Sequence, residues 1–150
     1  MARVEAALGS QAVRIDHVGS TAVPGMAAKP IVDLQVSVVE IEPTAPYARP
    51  LEGLGYLFAP DSDSPDFHFF GKPAARPRSF HLHVCLPGGD DEARHLALRD
   101  YLRAHPGEAL RYGEVKRELV AGSPGDRLAY IAGKADYMAQ LERRALDWLN

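Results

Sequence analysis

"HVGSTAVPGMAAKPIVDLQV", residues 17–36, contains the end of one strand, a Gly-Ser-Thr turn, a Pro-Gly break and a second strand. Side chains alternate between the two faces of a strand, so Asp33 and Gln35 share one face of the second strand and the apolar residues between them share the other. The apolar face predicts packing against a hydrophobic core. The stretch therefore predicts a sheet with one buried face and one face that carries a carboxylate close to a tight turn.

The first half of the chain has five segments with the alternation and the Pro or Gly boundaries of short strands. They are Val13 to Val18, Ile31 to Val38, Tyr56 to Ala59, Phe67 to Gly71 and Phe80 to Leu86. Residues 43–55 have a weaker helical pattern, because Pro50 would kink or shorten a helix that starts near Thr44.

Three helical patterns follow the Pro-Gly-Gly turn, over about 90–104, 107–121 and 124–149. Ser123 and Pro124 are a typical start for the last helix, a hydroxyl cap followed by proline. Its apolar residues recur at steps of three or four and predict one stripe that packs onto the sheet: Leu128, Ile131, Ala135, Met138, Leu141, Ala145 and Trp148. Strands followed by helices predict an α+β fold in a single domain over residues 1–150, in which residues 1–88 are rich in strands and residues 89–150 are helical.

The chain has 150 residues and a formal net charge of −3, which suits one globular domain. This charge gives no general attraction to nucleic acid or to an anionic membrane, so neither partner is expected. The single cysteine, Cys85, excludes an internal disulfide and is typical of a reducing compartment. Because there is no apolar run of about 18 residues and no leader pattern, the sequence predicts a cytoplasmic protein.

The Gly-Ser-Thr turn is a candidate site for an anion. Gly19 tolerates a positive φ and the close approach of another group, and Ser20 and Thr21 offer hydroxyl and backbone N–H donors. Lys29, just before the second strand, supplies a positive charge for a bound phosphate. The alternative is a capped turn that binds nothing, because Gly-Ser-Thr is a common turn sequence.

Two histidines on a later strand extend this candidate site. In "RSFHLHVC", residues 78–85, His81 and His83 lie on one strand face with their Cα atoms about 6.5 to 7 Å apart. With Asp33 they form a candidate set of ligands for one divalent metal, Mg, Mn or Zn, and histidine favours Mn or Zn. Arg78 is a further candidate for phosphate binding. The alternative is that the histidines have structural roles and that Asp33 pairs with Lys29 at the rim of the sheet.

Three motifs, "HVGSTAVPGMAAKPIVDLQV", "RSFHLHV" and "LRDYLRAHP", resemble in their order and spacing the GrpB-like family, also called UPF0157. The resemblance runs from about residue 10 to near the C-terminus. It implies a nucleotidyltransferase-like mixed sheet, a C-terminal set of about three helices, and a pocket between the turn and the sheet. In that superfamily two acids one residue apart follow the Gly-Ser turn, and a third acid lies on a later strand. Asp33 matches the first acid, Gln35 stands at the second position, and His81 or His83 stands at the third.

The resemblance therefore implies a site for nucleotidyl or phosphate transfer whose acidic motif is incomplete, with at most one divalent ion in the free protein. Asp33 and His83 are the candidate catalytic residues, Asp33 as metal ligand or base. In some bacteria the family is fused to dephospho-CoA kinase, which implies a role in nucleotide or coenzyme A metabolism. The family also has a longer first helix than this sequence carries, so a more open pocket is expected.

The sequence leaves three functions open. One is an enzyme that acts at a phosphate of a nucleotide or another phosphate-bearing small molecule. The second is an inactive phosphate- or nucleotide-binding module, for which Gln35 is the argument. The third is an interaction domain whose helical region docks on a kinase-like partner. Lys72 and Arg99 are further candidates for the pocket, and Lys116 and Lys134 are charged helix residues that the sequence does not place.

Overall fold

A five-stranded mixed sheet forms the centre of the protein in the computed structural model, which describes residues 1–59 and 65–150. The strands are β1 (Ala12–Val18), β2 (Val32–Val38), β3 (Leu57–Ala59), β4 (Phe67–Lys72) and β5 (Phe80–Cys85), in the order β1-β2-β5-β4-β3. β2 and β5 are parallel, and the other neighbouring pairs are antiparallel. All five predicted strands are confirmed to within one residue at each end.

The α-helices of the described residues are α1 (Ala2–Leu8), α2 (Ala45–Gly53), α3 (Asp90–Ala104), α4 (Pro106–Gly122) and α5 (Arg127–Leu149). The predicted α+β class, with three helices at the C-terminal end, is confirmed. α1 was not predicted, because seven residues are too few to show a clear helical period. Within the described ranges, none of the helices has the length and apolar character needed to cross a membrane.

The apolar face of the sheet packs against α1 and α2. Its core consists of buried side chains from both helices, from β2, β4 and β5, and from the residue before β3: Val4, Leu8, Leu34, Val36, Val38, Tyr47, Leu51, Tyr56, Phe70, Leu82 and Val84. α2 forms despite Pro50, because Tyr47 and Leu51 are fully buried in this core. Burial of such a side chain contributes about 1.5–3 kcal/mol, which is enough to offset the hydrogen bond that Pro50 cannot make.

The opposite face of β2 is covered over much of its length by α3. Gln35 and Ser37 are fully buried there. Gln35 Oε1 accepts a hydrogen bond of 2.6 Å from His95 Nδ1, and Ser37 Oγ donates to Glu92 Oε1. Asp33, at the start of the strand, keeps 24% of its side chain exposed. The Asp33 end of this face is therefore the region that remains open.

The C-terminal helices have a second core, and it corrects the predicted stripe on α5. Leu141 and Ala145 are fully buried, but they pack with Ala97 and Tyr101 of α3 rather than with the sheet. The first half of the stripe is exposed, and Leu128 has 75% of its surface exposed. The prediction that the whole stripe packs onto the sheet was wrong, because periodicity shows which face is apolar but not how far a partner extends along it.

α5 also begins three residues later than predicted. Asp126 caps the helix, since its Oδ1 atom accepts a hydrogen bond of 3.0 Å from the backbone N–H of Ala129. Gly125 has a φ of 73° and places the preceding Ser123 and Pro124 in a turn. The Ser-Pro pair thus forms part of the connection between α4 and α5, and not the first turn of α5.

We expect Leu141→Ala to lower the free energy of unfolding by about 2–5 kcal/mol, because it leaves a cavity at a fully buried position. Leu128→Ala is the matched control, with the same substitution in the same helix at an exposed position. We expect it to change the free energy of unfolding by no more than about 0.5 kcal/mol. Urea unfolding followed by circular dichroism measures both values, and equal losses would contradict the division of α5 into a buried and an exposed half.

Candidate functional site

A cleft of about 630 Å³ lies between the Asp33 end of the sheet and the facing surfaces of α4 and α5. The residues predicted for the site that line it are Ser20, Thr21, Lys29, Asp33 and His81. Helix residues between 113 and 134 form the other wall. The cleft therefore joins the turn and sheet identified from the sequence to the helices whose role the sequence left open.

The turn after β1 places its backbone against the carboxylate of Asp33. Gly19 has a φ of 72° and a ψ of −173°, a combination that glycine alone adopts readily. A Cβ atom at Gly19 would lie 2.7 Å from Asp33 Oδ2, so no other residue fits without a shift. Ser20–Ala22 form a short 3-10 turn directly afterwards. Both properties of glycine, its free φ and its lack of a side chain, are therefore used at this position.

Asp33 is held by two histidines from β5. Its Oδ1 atom accepts hydrogen bonds from His81 Nδ1 and His83 Nε2, each at 3.2 Å. The parallel register, which places Asp33 beside His81 and Gln35 beside His83, accounts for this arrangement. Burial alone would raise the pKa of Asp33, but the hydrogen bonds from His81 and His83 outweigh burial and lower the pKa to about 2. Asp33 is therefore ionised at neutral pH.

The two hydroxyl groups of the turn have different neighbours. Thr21 Oγ1 donates to the carbonyl of Ile31 at 3.4 Å and accepts from His17 Nε2 at 2.8 Å, so it connects the turn to β1 and to the start of β2. Ser20 Oγ instead accepts a hydrogen bond of 3.0 Å from Lys116 Nζ. Lys116 belongs to α4, and it therefore links the turn to the opposite wall of the cleft.

Positive charge dominates the cleft. Of the lining residues that the structure describes, six are Lys or Arg and one, Asp33, is a carboxylate. The six cationic residues are Lys29, Arg76, Lys116, Arg117, Arg127 and Lys134. The chain as a whole has a net charge of −3, so the cleft is a local concentration of positive charge on an acidic protein.

Arg78 was predicted to contact phosphate, and the structure places it over the sheet instead. Its guanidinium lies 5.6 Å from the ring centroid of Phe69. Gly71 makes room for it, because a Cβ atom there would lie 2.5 Å from Arg78 Nε. Arg76, two residues earlier, is the residue of this loop that lines the cleft.

Lys72 and Arg99, the further candidates for the pocket, also have their contacts outside this cleft. The ammonium group of Lys72 lies 5.5 Å from the ring centroid of Tyr56. Arg99 forms ion pairs with Asp16 at 3.1 Å and with Asp100 at 2.7 Å. The pair with Asp16 connects α3 to β1, which is a structural role for Arg99.

Gln35 lies on the same strand face as Asp33, but its Oε1 atom accepts a hydrogen bond from His95 of α3. Its Nε2 atom is buried and has no hydrogen-bond partner among the described residues. Burial lowers the pKa of His95 to about 3, so His95 is neutral at this position. The position at which the nucleotidyltransferase-like motif has its second acid is thus occupied by the uncharged Gln35, which pairs with the uncharged His95. Two divalent ions carry about four positive charges, and the single carboxylate of Asp33 does not offset them. A two-metal site therefore does not fit these residues.

The sequence predicts Asp33, His81 and His83 as the ligands of a single divalent ion. In the structure His81 and His83 each form a hydrogen bond with Asp33 Oδ1. Across residues 1–59 and 65–150, no three His, Cys, Asp or Glu side chains are grouped so that they could hold a metal ion. The metal ligand set therefore stays a prediction.

The helix wall is the side of the site that sequence reasoning missed. Arg117 and Arg127 were not identified, and Lys116 and Lys134 were noted without a position. Spacing was the available signal, since residues 127, 130, 131 and 134 follow the three- and four-residue steps of one helix face. Spacing alone does not show that this face turns towards the sheet.

Comparisons with known proteins agree on one family. The family model described as GrpB protein matches residues 1–144. A crystal structure described as conserved protein GrpB from Enterococcus faecalis superimposes with a TM-score of 0.88 at 31% identity, over 97% of this chain and 87% of that chain.

Curated relatives include the UPF0157 protein YqkA of Bacillus subtilis, which is 34% identical over 97% of this chain. The UPF0157 protein PA4798 of Pseudomonas aeruginosa is 40% identical over 95% of it. The chain spans 42% and 60% of the lengths of these two proteins. A protein named dephospho-CoA kinase from Mycolicibacterium paratuberculosis is 31% identical over 97% of this chain and is matched over 42% of its own length.

We expect Gly19→Ala to lower the free energy of unfolding by about 2–4 kcal/mol, because it places a side chain in a strained conformation and against Asp33. Gly25→Ala is the matched control: Gly25 has a φ of 74°, but a Cβ atom there would meet no atom within 4 Å. For this control we expect a loss of about 1 kcal/mol from the backbone alone. Denaturant unfolding measures both variants, and similar losses would show that the contact with Asp33 adds nothing.

Proposed function

The chain belongs to the GrpB family, and we propose that its cleft binds a phosphate-bearing small molecule of the size of a nucleotide. The cleft volume of about 630 Å³ lies within the range of about 300–1,000 Å³ that small-molecule sites occupy. The fold is consistent with the nucleotidyltransferase superfamily, in which a nucleotide site lies between the turn and the sheet.

The charge of the cleft is the observation that carries this proposal. Six cationic side chains face a space that has one carboxylate among its described lining residues. In a partly enclosed site such charges attract an anion more strongly than they do in open water. A phosphate group also accepts several charge-assisted hydrogen bonds from Lys and Arg. Cations that come from both walls of the cleft would therefore bind it together.

The remaining lining suits the uncharged portion of such a ligand. Val120, Ile131 and Tyr130 contribute apolar and aromatic surface beside the cations. Relatives that are named dephospho-CoA kinase also point towards a nucleotide-like ligand. Because this chain matches less than half of those proteins, the named activity is not carried over to it.

The proposal includes a divalent ion that binds only when the phosphate-bearing ligand is also bound. Asp33 and the phosphate oxygens would hold it, with His81 or His83 as a further ligand. When bound, the ion would neutralise phosphate charge and polarise the phosphoryl group. Asp33 suits this role because it remains ionised at neutral pH, with a pKa of about 2.

Reaction at the phosphate is the second candidate function, and the pairing of Asp33 with His81 inside the cleft favours it. A carboxylate with a pKa of about 2 is a weak base at neutral pH, so Asp33 acts as a charged ligand or orients a histidine. His83 does not line the cleft, and it contacts the site through its hydrogen bond to Asp33. Without turnover, the same geometry describes a phosphate-binding module.

We expect Lys134→Ala to weaken binding of pyrophosphate or ATP about tenfold, which corresponds to about 1.4 kcal/mol for one charged contact. Arg111→Ala is the matched control, since Arg111 is an exposed cation of α4 that pairs with Glu114 and Glu118. Isothermal titration calorimetry measures the affinities. The proposal is wrong if neither anion binds to the parent protein, or if both variants lose affinity equally.

We expect Asp33→Asn to lower the affinity for Mn²⁺ at least about tenfold when ATP is present, because it removes the charged oxygen ligand. Asp100→Asn is the control, since Asp100 is a carboxylate of α3 that pairs with Arg99 outside the cleft. Titration of Mn²⁺ followed by electron paramagnetic resonance distinguishes bound from free ion. Equal affinity in the parent and in both variants would rule out a metal at Asp33.

A further inference from the structure

Lys116 is distinguished from the other cations of the cleft by its contacts. It is half-buried in α4, and its Nζ atom donates hydrogen bonds to Ser20 Oγ at 3.0 Å and to the carbonyl of Ala27 at 2.8 Å. Its ammonium group also lies 4.7 Å from the ring centroid of Tyr112. The amine is therefore fixed in position on the cleft wall, where a bound ligand would meet it.

The surroundings of Lys116 make its neutral form more accessible than that of an ordinary lysine. Burial removes water from the amine, and the positive charges of Lys134 and Lys29 act in the same direction. Together they lower the pKa of Lys116 from 10.5 to about 8. At pH 7.5 about a quarter of such amines are neutral, compared with about one in a thousand for a lysine with an ordinary pKa.

The hydrogen bonds of Lys116 suit a nucleophile. A neutral amine has two N–H bonds and one lone pair. Ser20 Oγ and the Ala27 carbonyl provide acceptors for both N–H bonds. The lone pair then remains for an electrophile in the cleft, and the neighbouring cations hold any phosphate that the electrophile carries. Desolvation and adjacent cations are the general means by which a lysine becomes reactive towards carbonyl compounds.

We propose that Lys116 is a nucleophilic amine that forms an imine with an aldehyde or ketone bearing a phosphate group. The inference rests on the proposed function, since the cationic cleft must hold the phosphate. The lone pair of Nζ attacks the carbonyl carbon to give a carbinolamine. The carbonyl oxygen then leaves as water with the two amine hydrogens, and a C=N double bond forms. No oxidant or reductant is required.

Pyridoxal phosphate is a suitable probe, because it combines an aldehyde with a phosphate and its imine absorbs visible light. The sequence contains four lysines, Lys29, Lys72, Lys116 and Lys134. After reduction of the imine with borohydride, peptide mass mapping identifies the modified residue. We expect the adduct at Lys116 to exceed that at Lys72, which lies outside the cleft, at least about tenfold. We also expect pyridoxal without phosphate to react much more weakly, and pyrophosphate to compete.

Two variants make the test specific. Lys116→Arg keeps a cation but has no nucleophilic amine at this pKa, so we expect the imine absorbance to disappear. Lys72→Arg is the matched control and should retain it. If pyridoxal phosphate competes with pyrophosphate but its adduct is spread over the lysines or is absent, the inference is wrong while the proposed function stands. If neither compound binds, the proposed function and the inference fail together.

Discussion

The contact between the Asp33 carboxylate and the backbone of Gly19 is the constraint on which the rest of the site depends. This contact requires a residue without a side chain where β1 ends, and the turn that follows lies close to the first residues of β2. Two histidines of β5 hold the same carboxylate from the other side. The neighbouring strands β1, β2 and β5 thus meet at the carboxylate of Asp33, which fixes their relative positions where the cleft begins.

The two faces of the sheet have different roles in the structure. One face is apolar and forms a core with α1 and α2. The other face carries polar side chains that form hydrogen bonds with α3, as the pairing of Gln35 with His95 and of Ser37 with Glu92 shows. Because α3 also contributes to the helical core, it connects the sheet to α4 and α5. The cleft lies at the end of the polar face, where α3 no longer covers it.

The sequence predicted the sheet wall of the site well and the helix wall poorly, for a physical reason. Strand boundaries are local, because Pro and Gly end the short alternating segments, and a spacing of two places His81 and His83 on one face. The contribution of Lys116 depends on which face of α4 turns towards the Ser20 turn, and that is decided by tertiary packing. The same limit explains the stripe on α5, where Leu141 is buried and Leu128 is not.

The two walls of the cleft differ in how much sequence change they can absorb. The sheet wall combines a turn that requires glycine at position 19 with a carboxylate held by two hydrogen bonds, so a side chain at Gly19 would disturb the fold itself. The helix wall consists largely of long, solvent-facing side chains on the exposed half of α5 and the end of α4. Replacing these side chains costs little stability. Evolution can therefore alter ligand preference through the helices while the sheet wall stays constant, which makes this cleft an adaptable scaffold.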